Sequence, residues 1–135
     1  MLRITKTLML VTDLGFVAYF SVTGLGLIPP EWAFADYDDP LMVDWNWSFL
    51  WLDLLASATG LTSLRLLRRG SPSGPSLMLI SLVLTMASGL MAIAFWTLRG
   101  EFSLVWWLPN LYLMIFPLPG IVHLTACGFM RRGES

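Results

Sequence analysis

Four long apolar stretches, separated by short polar segments, make up most of this 135-residue chain. They cover residues 7–28, 48–67, 76–98 and 105–129. A helix rises about 1.5 Å per residue, so about 20 residues cross the roughly 30 Å hydrocarbon layer of a bilayer. Because backbone polar groups must be paired there, each stretch is predicted to be a transmembrane helix. The short connections predict an all-α integral membrane protein, a single-domain four-helix up-down bundle.

The composition agrees with a membrane location. Apolar residues make up 56% of the chain, charged residues 13%, and the mean hydropathy is +0.71. A soluble domain usually has about twice that charged fraction. The single cysteine, Cys127, has no companion for a disulfide, a metal site or a redox site. We therefore expect membrane lipids as partners, and no nucleic acid, metal or cofactor.

The basic residues are distributed unevenly between the two ends of the predicted helices. Seven of the eight fall on one side of the membrane, and only Arg99 falls on the other. Because basic residues mark cytoplasmic segments, both termini are predicted to be cytoplasmic and the acidic loop at residues 29–47 to lie outside. The seven are Arg3, Lys6, Arg65, Arg68, Arg69, Arg131 and Arg132.

All seven tryptophans fall at or near the outer face in this topology. Tryptophan favours membrane interfaces, since its ring is apolar and its indole N–H needs a partner. Two interpretations remain open: an anchoring belt, or the aromatic wall of an outer pocket. The predicted wall residues are Trp51, Trp96, Trp106, Trp107 and Tyr112.

Small residues recur at four-residue spacing in the second and third spans. They are Ala56 and Gly60 in one, and Ser81, Thr85 and Gly89 in the other. Small residues let membrane helices approach closely, so these positions are predicted to form the seams of the bundle. A homodimer face is the alternative.

The fourth span contains a proline-rich sequence at residues 117–120, Pro-Leu-Pro-Gly. Each proline removes a backbone donor and obstructs the preceding turn, so a kink or break is predicted near the middle of this span. The break is either a packing feature or one wall of a pocket, because freed carbonyl groups often line cavities.

Ionisable side chains inside a membrane are costly and are candidates for function. Asp53 in the second span and Asn110 in the fourth lie at similar depth near the outer face, and both are predicted to face one cavity as catalytic or ligand-orienting groups. Asp13 in the first span and His123 in the fourth lie nearer the inner face. This second pair is predicted to be within hydrogen-bond reach, directly or through one water, either as a structural pair or as ligand-binding or proton-transferring groups.

Short sequences along nearly the whole chain resemble the YvaD-like family of small four-span bacterial membrane proteins. The resemblance implies a bacterial cytoplasmic membrane protein, and it implies no particular chemistry. The sequences that carry it are VTDLGF at 11–16, LIPPE at 27–31, DPL at 39–41, WNWSF at 45–49, LDLL at 52–55, AIAFW at 92–96 and WWLPNL at 106–111.

A second set of residues is similar to the EXPERA superfamily, which includes sterol isomerases and the sigma-2 receptor. The matching residues are DPL at 39–41, SFL at 48–50 leading to Asp53, Asn110, and PLPG at 117–120. The resemblance implies a sterol-sized pocket with an acid at the position of Asp53. The tryptophan expected one turn after the asparagine is replaced by Leu113 or Met114, which argues against isomerase chemistry.

These observations favour a membrane protein with an intramembrane pocket for a lipid-like or sterol-like apolar molecule, whose polar end Asp53 and Asn110 would orient. One alternative is a non-catalytic accessory or assembly subunit of a membrane complex. Another is an isomerase-like enzyme in which Asp53 donates or accepts a proton.

Overall fold

The structure is a computed structural model that describes residues 2–132, the last four of them by their backbone alone. Four helical segments in this range are long and apolar enough to cross a membrane. The first three are α1 (Leu2–Gly24), α3 (Pro40–Arg68) and α4 (Gly74–Arg99), and the fourth consists of α5 (Leu104–Ile115) followed by α6 (Pro117–Arg132). A short helix, α2 (Pro30–Ala33), lies between α1 and α3 in the sequence. The predicted all-α class with four apolar helices is confirmed. The side chains of Arg131 and Arg132, used in the topology prediction, lie outside the described part of the chain.

The second long helix begins earlier than the apolar pattern predicts, at Pro40 rather than near residue 48. Its start is fixed by a cap, since the Asp39 side chain accepts a hydrogen bond of 2.9 Å from the Leu41 amide. Proline suits the first helical position because its φ is preset and its missing N–H would be unpaired there anyway. The 29 residues of α3 extend over roughly 43 Å, longer than the hydrocarbon layer. Both ends of α3 carry charged residues, Asp44 in its first turns and Arg65 and Arg68 in its last.

The first and fourth spans also differ in detail from the prediction. The first helix begins at Leu2 and ends at Gly24, several residues before the predicted end of its apolar stretch. The fourth span is interrupted at Phe116, directly before Pro117. Pro117 and Pro119 then occupy the first turn of α6, where a missing N–H costs little. Pro109 remains inside α5.

The helices pack closely where small residues face a neighbouring element. The most extensive contacts join α3 to α4, α4 to α5 and α1 to α3, while α6 rests mainly on α4. A Cβ atom on Gly89 would lie 2.6 Å from the Asn110 carbonyl oxygen and from the Met114 amide nitrogen, so α4 touches the backbone of α5 at this point. The predicted seam positions are confirmed as buried. They are Ala56, Gly60, Ser81, Thr85 and Gly89, and Ser88 and Ala92 beside them are buried as well.

The interior of the bundle differs between its two halves. A cluster of buried apolar side chains fills the half that contains the start of α1, the end of α3 and the start of α4. It consists of Met9, Leu64, Met78 and Leu82. The other half contains more aromatic and polar side chains and, as described next, a cavity.

Candidate functional site

A cavity of about 360 Å³ lies between α1, α3, α4 and α5 and is covered by the segment at residues 32–35. Its walls are largely aromatic. Among the described residues that line it, Asp53 is the one carboxyl group, and none is Lys, Arg or His. The aromatic lining residues are Phe16, Tyr19, Phe20, Trp32, Phe34, Trp45, Phe49, Trp96 and Trp106, and the polar ones besides Tyr19 are Asn46, Asp53, Ser88 and Asn110.

Asp53 is placed on the cavity wall by the face of α3 that packs against α4. Its side chain is 6% exposed, and Ser88 of α4 donates a hydrogen bond of 2.7 Å to its Oδ1. Within the described part of the chain no donor reaches Oδ2. One carboxyl oxygen therefore fixes the side chain to α4, and the other is available to a molecule in the cavity.

Asn110 reaches the same cavity from α5. Its Nδ2 donates a hydrogen bond of 2.7 Å to the Trp106 carbonyl oxygen one turn earlier, which leaves the amide oxygen as a free acceptor. The backbone of Asn110 rests on Gly89, next to the Ser88 that holds Asp53. Asp53 and Asn110 thus both line this cavity, and their role in binding or catalysis stays a prediction.

Two further polar lining residues, Tyr19 and Asn46, were missed by the sequence analysis. The Tyr19 hydroxyl lies 2.9 Å from the Ala33 carbonyl oxygen and 2.9 Å from Asn46 Oδ1. Asn46 is 8% exposed, and no described residue forms a hydrogen bond with its Nδ2. The signal that could have found Asn46 is its position seven residues before Asp53, which puts both on one helical face. It was missed because residue 46 was assigned to the outer loop.

The predicted aromatic wall is only partly correct. Trp96 and Trp106 line the cavity, but Trp51, Trp107 and Tyr112 are not among its lining residues. Trp51 is 76% exposed because it lies two positions from Asp53, about 200° around the helix. The Trp107 indole donates a hydrogen bond of 2.8 Å to the Glu101 carbonyl oxygen, and the hydroxyls of Tyr112 and Thr12 pair at 3.0 Å.

Asp13 and His123 do not form the predicted direct pair, and neither lines the cavity. Asp13 is fully buried, and neither of its carboxyl oxygens has a hydrogen-bonding partner among the residues that the structure describes. The carboxyl group packs over Gly60 of α3 because glycine leaves room there. His123 is half-buried on α6, and its Nε2 lies 3.7 Å from Cys127 Sγ. A direct pair does not form because α1 turns the Asp13 carboxyl toward Gly60 of α3, and a contact with His123 through one water stays a prediction.

Comparison with known proteins places the chain in a family. Residues 5–130 match the family of unknown function DUF5360. The chain is 52% identical over 134 residues to the uncharacterized protein YvaD of Bacillus subtilis (strain 168). The aligned region covers 99% of this chain and 100% of that protein. No solved structure matches the chain, so the EXPERA resemblance stays a prediction. On the family match and the full-length identity, the chain belongs to the DUF5360 family of YvaD-like proteins.

Proposed function

We propose that this protein binds a lipid-like apolar molecule in the cavity between α1, α3, α4 and α5, with the polar end of that molecule held by Asp53 and Asn110. The observation that carries the proposal is the combination of aromatic walls with a small set of polar groups in one place. Sites for small molecules typically have this composition: apolar walls provide affinity, and a few polar groups fix the orientation.

The lining also limits the chemistry of the polar end. An anionic headgroup such as a phosphate needs cationic partners when it leaves water, and the lining offers none. The free atom at Asn110 is an acceptor, the amide oxygen, and the free carboxyl oxygen of Asp53 accepts when the group is ionised and donates when it is protonated. The polar end is therefore a hydrogen-bond donor, such as a hydroxyl or an amine.

The packing of the helices suggests a route by which the molecule reaches the cavity. α1 rests mainly on α3, and α5 rests mainly on α4, yet both α1 and α5 line the cavity. A molecule in the surrounding bilayer would enter laterally between these two helices. The hydrogen bond between Thr12 and Tyr112 joins α1 to α5. Thr12 lies beyond the lining residues of α1, and Tyr112 lies next to Leu113, the last lining residue of α5.

We further propose an up-down arrangement with both termini in the cytoplasm of a bacterial cell, so that the cavity lies in the outer half of the membrane. Support comes from the basic residues near the end of α3 and the start of α1, away from the cavity. Arg99, the exception, lies 3.0 Å from Glu101 and 3.7 Å from Asp36, so its charge is largely balanced locally.

The test is the identity and occupancy of a bound molecule. The protein is purified from bacterial membranes in mild detergent, and a solvent extract is compared with that of an Asp53→Asn variant by mass spectrometry. Asn is nearly isosteric with Asp and removes only the carboxyl function. Asp44→Asn, an exposed carboxyl on the same helix, is the matched control.

We expect an apolar molecule that is enriched over bulk membrane lipid in the wild type and in Asp44→Asn, and reduced several-fold in Asp53→Asn. Equal enrichment in all three proteins would remove Asp53 from the site. If no molecule is enriched, the pocket proposal fails and the accessory-subunit interpretation takes its place. A chemically altered product that depends on Asp53 would favour the isomerase-like enzyme.

A further inference from the structure

The cavity has a second polar location, distant from Asp53, at its covered end. Tyr19 and Asn46 meet the covering segment there, through the Ala33 carbonyl oxygen. Phe34, the next residue of that segment, is 8% exposed and lines the cavity beside them. The amide of Asn46 is thus separated from bulk water, and what fills the cavity must satisfy it.

The number of hydrogens at this location determines how the Asn46 amide is oriented. A tyrosine hydroxyl carries one hydrogen, so it cannot donate both to the Ala33 carbonyl oxygen and to Asn46 Oδ1, although each lies at 2.9 Å. Rotating the amide by half a turn resolves the conflict: Nδ2 then donates to the hydroxyl, and the hydroxyl donates to Ala33. In this orientation Asn46 Oδ1 becomes a free, buried acceptor.

A free buried acceptor is costly unless something donates to it. Leaving a buried polar atom unpaired costs about 1–3 kcal/mol. A valine or leucine at residue 46 would avoid that cost and would match the apolar walls. The asparagine is therefore informative about the occupant of the cavity.

The spacing along α3 gives the distance between the two polar locations. Asn46 and Asp53 are seven residues apart on one face, so their Cα atoms are separated by roughly 10 Å along the helix axis. Phe49 lies between them on the same wall. A polar location, an apolar stretch and a second polar location therefore follow one another along the cavity.

We infer that the cavity selects an elongated apolar molecule with a hydrogen-bond donor at each end, one donating to Asp53 and Asn110 and the other to Asn46. Tyr19 acts as a positioning residue, because it fixes the Asn46 amide and touches the ligand only with its ring. This inference rests on the proposed function, which requires only one polar end.

The experiment compares terminal alkanediols with primary alkanols of the same carbon number, from butane to dodecane derivatives. Binding to the detergent-solubilised protein is measured from the change in intrinsic tryptophan fluorescence, since four tryptophans line the cavity beside the polar groups. The ratio of the two dissociation constants is compared between variants in one detergent, so that partitioning into micelles cancels. The variants are Asn46→Leu, Tyr19→Phe, Asp53→Asn and the control Thr62→Leu, an exposed residue on α3.

In the wild type and in Thr62→Leu, the ratio of the alkanol to the diol dissociation constant at intermediate chain length should be roughly 2- to 10-fold higher than in Asn46→Leu, the value of one additional hydrogen bond. Asn46→Leu should abolish this preference while retaining alkanol binding, and Tyr19→Phe should reduce it. Thermal melting confirms that each variant is folded.

The results separate the two proposals. If alkanols bind in a manner that depends on Asp53 but diols are not preferred, or if the preference survives in Asn46→Leu, the second polar location is refuted and the proposed function stands. If neither series binds saturably and no molecule copurifies, both are refuted.

Discussion

Replacing Gly89 by alanine should push α5 away from α4 and disturb the cavity at Asn110. The added Cβ atom would lie 2.6 Å from the Asn110 carbonyl oxygen, 2.6 Å from the Met114 amide nitrogen and 2.9 Å from Leu113 Cβ. Two of these atoms belong to the backbone and cannot rotate away. The helix must retreat by roughly 1 Å to restore a normal separation of about 3.5 Å. Asn110 then moves away from Asp53.

The magnitude follows from two opposing effects. Overpacking a close contact costs about 1–3 kcal/mol, whereas alanine is favoured over glycine inside a helix by about 0.5–1 kcal/mol. The expected result is a net loss of roughly 0.5–2 kcal/mol in the free energy of unfolding, together with lower occupancy of the copurified molecule. Unfolding is followed in detergent by tryptophan fluorescence, and occupancy by mass spectrometry.

Gly15→Ala is the matched control for this prediction. Gly15 lies within α1, and a Cβ atom there would meet nothing within 4 Å. This substitution should raise stability by up to about 1 kcal/mol and leave occupancy unchanged. If Gly89→Ala is as stable and as fully occupied as Gly15→Ala, the close approach of α4 and α5 is not what positions Asn110.

Two further predictions concern topology and the aromatic residues. In a Cys127→Ser background, the cysteine of an Asp38→Cys variant should react with a membrane-impermeant maleimide in intact cells. The cysteine of a Ser73→Cys variant should react only after the cells are lysed. The reverse pattern would invert the proposed orientation. Trp96→Ala should lower the free energy of unfolding by about 3–5 kcal/mol, because Trp96 is 3% exposed. Trp51→Ala should lower it far less, because Trp51 faces outward. Equal losses of stability in thermal melting would contradict this assignment.

The spans and the pair of Asp53 and Asn110 were predictable because each depends on positions counted along a helix. The apolar pattern locates the helices, and depth in the membrane follows from residue number. Small residues such as Gly89 indicated where helices approach. The start of α3 was not predictable from hydropathy, since it depends on the cap at Asp39, and Asn46 was missed as a result.

The absence of a direct hydrogen bond between Asp13 and His123 has a different origin. Similar depth gives the height of two residues in the membrane but not the direction in which each points. That direction depends on which helices pack together, and the room above Gly60 draws Asp13 toward α3. Trp51 shows the same distinction, since its depth matches Asp53 while its face is opposite.

The buried, unpaired carboxyl of Asp13 also bears on how the protein is made. An aspartate at the centre of a membrane helix makes the free energy of membrane insertion less favourable by about 2.5–3.5 kcal/mol. This offsets the favourable insertion free energy of several leucines. The first helix therefore integrates into the bilayer less favourably than its apolar length suggests. Its natural stabilising partner is α3, where Ser57 donates a hydrogen bond of 3.0 Å to the Asp13 carbonyl oxygen. At roughly 5–20 residues per second, the ribosome supplies that partner within about ten seconds, and until then the first helix is the weak point of biogenesis.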